Sequence, residues 1–155
     1  MNDLDIAAGF AVLHGLGRVR TRQIGRGALE QWVDDHEDML LSLDLRQEGA
    51  LIKFERPDYL AMVGERRAGR MERAFYLAVE SPYAVRERDI DKVTDNAKIL
   101  RAVTGLAAYP VVAAGILDPM LSDVARARLY EDVNEYVAAG DADAALWYRL
   151  DPEAD

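Results

Sequence analysis

Asp58 and Glu80 are the pair in this chain best placed to do chemistry. Asp58 follows Pro57 and opens an apolar, β-prone run at residues 59–63 (YLAMV); Glu80 closes a second run at residues 75–79 (FYLAV), just before Ser81 and Pro82. Folded as a hairpin about Gly69, the two runs place Met62 opposite Tyr76, Leu60 opposite Ala78 and Asp58 opposite Glu80. Side chains alternate along a strand, so these six residues share one face, and directly opposed Cβ atoms lie only about 5 Å apart. Two carboxylates that close repel unless something cationic stands between them. Mg²⁺ or Mn²⁺ is the usual partner of carboxylate oxygens, although a proton or an arginine would serve electrostatically. A register one residue away would send the acids to opposite faces. The plainer alternative is that Asp58 belongs to the Pro57-Asp58 turn and Glu80 ends its strand at water.

The elements that must position this pair are legible in outline. Residues 4–14 read as a helix closed by Gly15 and Gly17, followed by a link rich in arginine (Arg18, Arg20, Arg22, Arg26). Leu29, Trp32, Val33, His36, Leu40 and Leu43 recur at three- and four-residue spacing, the mark of one helix with a buried stripe, and Asp34, Asp35 and Asp38 fall on its solvated side. Residues 50–54 read as a strand, and residues 64–73, with two glycines and many charges, as the hairpin loop. A second helix carries Ile90, Val93, Ala97 and Leu100 on one face and closes at Gly105. The continuous apolar run 109–116 suits a strand buried on both faces. Ser122 caps a helix running through Val124, Leu129, Val133 and Tyr136, residues 145–150 (ALWYRL) form a last edge strand, and the tail DPEAD frays. The order predicts an α/β domain over 1–155, with a helical N-terminal part (1–45) and a sheet-containing core (50–150).

Composition limits what such a domain does. The chain has 155 residues, half of them apolar, enough for one real core. It has no cysteine, which excludes disulfides, thiolate metal sites and cysteine nucleophiles. No apolar run approaches the ~20 residues of a membrane span. The opening MNDLDIAAGF carries acids where an export signal needs bases, so a cytoplasmic location is expected. A net charge of -9 argues against avid, non-specific binding of nucleic acid but leaves room for a local basic patch.

Two arginine clusters are candidates for such a patch: the link just described, and Arg66, Arg67, Arg70 and Arg73 in the loop, which have Glu65 and Glu72 as ready partners. Either could hold phosphates; each reads more simply as a charged, solvated segment. Neither has interleaved aromatics, so neither is a stacking platform for single strands. His36 falls on the apolar stripe and reads as packed, and no metal-binding histidine spacing occurs.

The segments RPDYLAMV (56–63), YLAVES (76–81), RERDIDKVTDNAKIL (86–100) and YPVVAAGILDP (109–119) together resemble the restriction-endonuclease-like, or PD-(D/E)xK, nuclease superfamily. More narrowly they resemble a group of small bacterial proteins whose second motif reads VVEVS in place of ExK. The resemblance runs from Arg56 to Pro119 and, more loosely, to the helix holding Glu30. It implies a restriction-endonuclease-like mixed sheet flanked by helices. It also implies Asp58 and Glu80 as ligands of Mg²⁺ or Mn²⁺, with Glu30 as a third acid, and phosphodiester hydrolysis of DNA. In active members a lysine two residues after the motif glutamate helps polarise the nucleophile; here that position is Pro82. Lys92 or Lys98 would have to replace it, yet Lys92 lies about 200° around the helix from Ile90 and is expected in solvent. The resemblance therefore implies a weakened or lost nuclease that binds DNA weakly. The alternative is a non-catalytic interaction module on the same scaffold, its aromatic C-terminus forming a homodimer or partner interface.

Overall fold

The computed structural model describes residues 3–150. Helix α1 (Asp3–Leu13) leads to strand β1 (Val19–Gln23), then to helices α2 (Arg26–Asp35), α3 (Glu37–Leu40) and α4 (Ala50–Phe54). The hairpin β2 (Tyr59–Arg67) and β3 (Arg70–Glu80) follows, then β4 (Ala84–Val85), the long helix α5 (Glu87–Thr104), β5 (Ala108–Ala114) and β6 (Ile116–Leu117). Helix α6 (Asp123–Arg126), β7 (Leu129–Tyr130), α7 (Val133–Ala139) and β8 (Ala145–Arg149) complete the described chain. One mixed six-stranded sheet runs in the order β1-β2-β3-β5-β8-β7, antiparallel from β1 to β3 and parallel from β3 to β7; β4 and β6 pair separately. The fold is thus α/β, with helices on a mixed sheet, as the order of elements predicts.

Strand β3 lies inside the sheet and shows why the alternation matters. Phe75, Leu77 and Val79 pack on one side with Phe10, Val63, Val111 and Tyr136; Tyr76 and Ala78 pack on the other with Leu29, Phe54, Leu60 and Leu100. Helix α5 presents Ile90, Val93, Ala97 and Leu100 as a fully buried stripe, and Gly105 ends it at φ +70°.

The expected register of β2 against β3 is the observed one: Met62 faces Tyr76 and Leu60 faces Ala78. Its origin differs from the expectation. Residues 64–73 are not a loop; both strands run through them to a two-residue turn, Ala68-Gly69, with φ of +51° and +78°. Such a turn alone would shift the pairing by one residue. An irregularity after Val63 restores it: Glu65 pairs with Glu72, so Arg73 (φ +53°) and Ala74 together stand against Gly64. This has the two-against-one count of a β-bulge.

Several other expectations change. Residues 50–54 are helix α4, not a strand, because Ala50 and Phe54 bury one helical face; five residues are too few to separate the two periods. The helix expected over Leu29 to Leu43 breaks at His36 (φ -125°), whose Nδ1–H donates to the Trp32 carbonyl at 2.9 Å. Ser122 caps α6 as expected, but the chain then forms β7 before Asp132 caps α7. The arginine-rich link holds β1, so the N-terminal part contributes to the sheet. ALWYRL is not a free edge: β8 lies between β5 and β7, and buried Trp147 donates from Nε1 to the Ala114 carbonyl. The aromatic C-terminus therefore belongs to the core. The tail DPEAD lies outside the described residues.

Candidate functional site

Asp58 and Glu80 meet at the open end of the β2–β3 hairpin. The Asp58 backbone N–H donates to Glu80 Oε2 at 2.6 Å, and the Ser81 backbone N–H donates to Asp58 Oδ2 at 2.9 Å. Each carboxylate therefore accepts a backbone N–H from the other strand. Asp58 is exposed, whereas Glu80 is 5% exposed.

A cation does reach the pair, at its buried member: Lys92 on Glu80. Its Nζ lies 2.7 Å from Glu80 Oε1 and also donates to the Arg56 carbonyl at 2.9 Å. This corrects the expectation that Lys92 is solvated. Helix α5 is covered on more than one side: Thr94, Asp95 and Asn96 are as buried as its apolar stripe. A lysine turned away from Ile90 is therefore still half-buried, and its long stem carries the charge to Glu80. Burial is the main cause that pushes the Glu80 carboxyl above its ordinary range; the Asp58 N–H and Lys92 pull it back, and the Asp58 charge adds to the rise.

The remaining candidates go elsewhere. Glu30 sits exposed on α2, paired with Arg26 Nε at 2.9 Å. Among the described residues no three His, Cys, Asp or Glu are grouped as metal ligands, so Glu30 does not join Asp58 and Glu80 as a third acid. Lys98 pairs with Asp143 at 2.6 Å and donates to the Asp44 carbonyl. Pro82 follows the site without adding charge. Both histidines serve packing: His14 bonds the Tyr109 hydroxyl and stacks on Phe75, and His36 bonds within its own helix.

The donor set fits a hard divalent cation in one limited form. Mg²⁺ is commonly held by one or two carboxylates, with waters and substrate phosphate in the other positions. Asp58 and Glu80 supply two. Both Glu80 oxygens already have partners, so an ion bound there competes with Lys92 for Oε1.

A cavity of about 440 Å³ adjoins the site, lined by Gln23, Arg26, Glu55, Arg56, Pro57 and Leu60 among others. Lys92 is the residue that sequence reasoning named as a replacement for the motif lysine and then set in solvent. Its signal was available: it is one of only three lysines in the chain, on a helix whose buried positions extend beyond a single stripe. No helix among the described residues is long and apolar enough to cross a membrane.

No family model, no curated protein and no solved structure matches this chain.

Proposed function

We propose that the domain is a cytoplasmic, restriction-endonuclease-like protein that hydrolyses DNA phosphodiesters weakly, with Mg²⁺ or Mn²⁺ held by Asp58 and Glu80. The observation that carries this reading is the 2.7 Å approach of Lys92 Nζ to Glu80 Oε1, which puts an ammonium on the motif glutamate although position 82 is proline. When bound, the ion would activate water and stabilise charge on the phosphate. The chain's own part is positional. The paired N–H bonds hold Asp58 and Glu80 on one face, and burial keeps Glu80 poorly hydrated. The Lys92 ammonium, on leaving Glu80, would donate to a phosphate oxygen or polarise a water. Because Lys92 is engaged by Glu80, the ion and the ammonium oppose each other, which suits a slow enzyme.

Calorimetric titration of Mn²⁺ into wild type and Asp58→Ala, with cleavage of duplex DNA followed in the same samples, tests this. Binding and cleavage that both vanish in Asp58→Ala support it; no Mn²⁺ binding by wild type overturns it.

One observation favours the second reading, a non-catalytic interaction module. Leu41 (69% exposed) and Ile52 (66% exposed) border an apolar groove of about 450 Å³ between α3 and α4. Under that reading wild type binds no Mn²⁺, and Asp58→Ala behaves as wild type in every assay.

A further inference from the structure

The two arginine clusters that look separate along the chain form one surface. Antiparallel pairing sets Arg22 opposite Met62 and Arg20 opposite Gly64, while Arg66 continues the same face of β2 two residues further on. Arg20, Arg22 and Arg66 line a cavity of about 370 Å³ with Thr21, Gly69 and Met71; no acid lines it. The acids of the hairpin are on the other face. Glu65 pairs across the strands with Glu72 and takes the Arg67 guanidinium at 3.0 Å. Arg20, Arg22 and Arg66 are exposed and make no ion pair among the described residues, whereas Arg26, Arg46, Arg86 and Arg128 each hold a carboxylate. Gly64 forms part of the same face, and a Cβ there would meet the Met71 side chain at 3.3 Å.

This face is also the Asp58 face. Positions 58, 60, 62, 64 and 66 alternate to one side of β2, and at about 3.3 Å per residue Arg22 and Arg66 stand roughly 13 and 27 Å from Asp58 along the strand. Between the two the face is covered, Leu60 and Met62 packing with Leu29, Trp32 and Phe54, while the cavity beside Pro57 reaches Gln23, the neighbour of Arg22.

We propose that Arg20, Arg22 and Arg66 form a phosphate-binding groove for duplex DNA, separate from the carboxylate site and on the same face of the sheet. Guanidinium groups suit phosphate because their fork of donors matches its oxygens, and a groove without aromatics takes backbone, not bases. The choice of DNA over other polyanions rests on the nuclease reading, since this groove and the Asp58–Glu80 pair lie on the same side of the sheet. The duplex rises about 3.4 Å per base pair, so the groove would hold phosphates ~4–8 steps from the one at the carboxylates.

The test is fluorescence anisotropy of a 24-base-pair duplex (about 24 × 3.4 Å, long enough to span both sites) without divalent metal, over a range of salt. Wild type is compared with Arg20→Ala/Arg22→Ala/Arg66→Ala, whose folding is verified by its thermal midpoint. Each lost phosphate contact lowers the slope of log K against log salt by about 0.9, so the triple variant should lose roughly 2–3 units of slope. An unchanged slope, or polyglutamate displacing the duplex from wild type as well as unlabelled DNA does, overturns the groove. The Mn²⁺ titration decides the other question separately. A slope that falls in the triple variant while wild type binds no Mn²⁺ keeps the groove and sinks the nuclease; Mn²⁺-dependent cleavage with an unchanged slope sinks the groove alone.

Discussion

Glu80 is buried because its strand is interior, and it stays ionisable because two groups reach it. With its folded pKa raised above the unfolded value, the protein binds that proton more tightly when folded. The stability this contributes is present below the unfolded pKa and is lost as pH rises through the folded one. Stability from urea unfolding should therefore fall as pH climbs above the ordinary carboxyl range, and Glu80→Gln should remove part of that fall. Lys92→Met separates charge from chemistry. Removing the ammonium frees Glu80 Oε1 and takes away a like charge, so Mn²⁺ should bind about tenfold more tightly, a change of about 1.4 kcal/mol. Cleavage should drop ~100-fold or more if Lys92 assists the reaction. Calorimetry and a gel assay on one preparation read both; tighter binding with undiminished cleavage would remove Lys92 from the mechanism.

At the scale of the element, the β2–β3 hairpin does the positioning. A two-residue turn and a one-residue irregularity offset each other, and only their combination brings Asp58 and Glu80 to one face. Gly64 sits against that irregularity, where a Cβ would meet the Glu72 carbonyl oxygen at 3.1 Å and Ala74 Cα at 3.4 Å. Backbone there cannot step aside cheaply, so Gly64→Ala should destabilise the fold by about 1–2 kcal/mol and weaken Mn²⁺ binding, measured by denaturation and titration. The turn gives the opposite sign. Ala68 holds φ +51°, a conformation that costs a Cβ-bearing residue roughly 1 kcal/mol. Ala68→Asn would make the favoured Asn-Gly pair and should raise the unfolding midpoint, with the site untouched.

Across the whole molecule a polar network ties α5 to distant segments. Asp91 accepts from Arg128 Nη1 at 2.8 Å and from Arg46 Nε at 2.9 Å; Asp143 takes Lys98 and Arg46; and Asp95, buried, accepts the backbone N–H groups of Arg46 and Gln47. Arg128 is 8% exposed, so removing its carboxylate strands a largely buried charge. Asp91→Ala should cost about 3 kcal/mol in chemical denaturation, well above an exposed ion pair.

What the sequence determined by itself is what depends on neighbours along the chain. The apolar, β-prone runs 59–63 and 75–79 specified both strands. They did not specify the register, because both faces of β3 are buried and a slip exposes neither; the turn at Ala68-Gly69 and the irregularity after Val63 set it together. The stripe and closing glycine of α5 specified that helix, and the run 109–116 specified a strand buried on both sides. Only the tertiary structure decided the rest, because each remaining feature depends on what lies opposite. Whether residues 50–54 coil or extend, whether ALWYRL is an edge, and whether an arginine-rich link pairs with β2 are settled by partners tens of residues away. Lys92 is the clearest case. Its spacing from Ile90 places it on the far side of a helix, but that side is solvent only if nothing packs there, and the chain from Arg46 to Arg56 does.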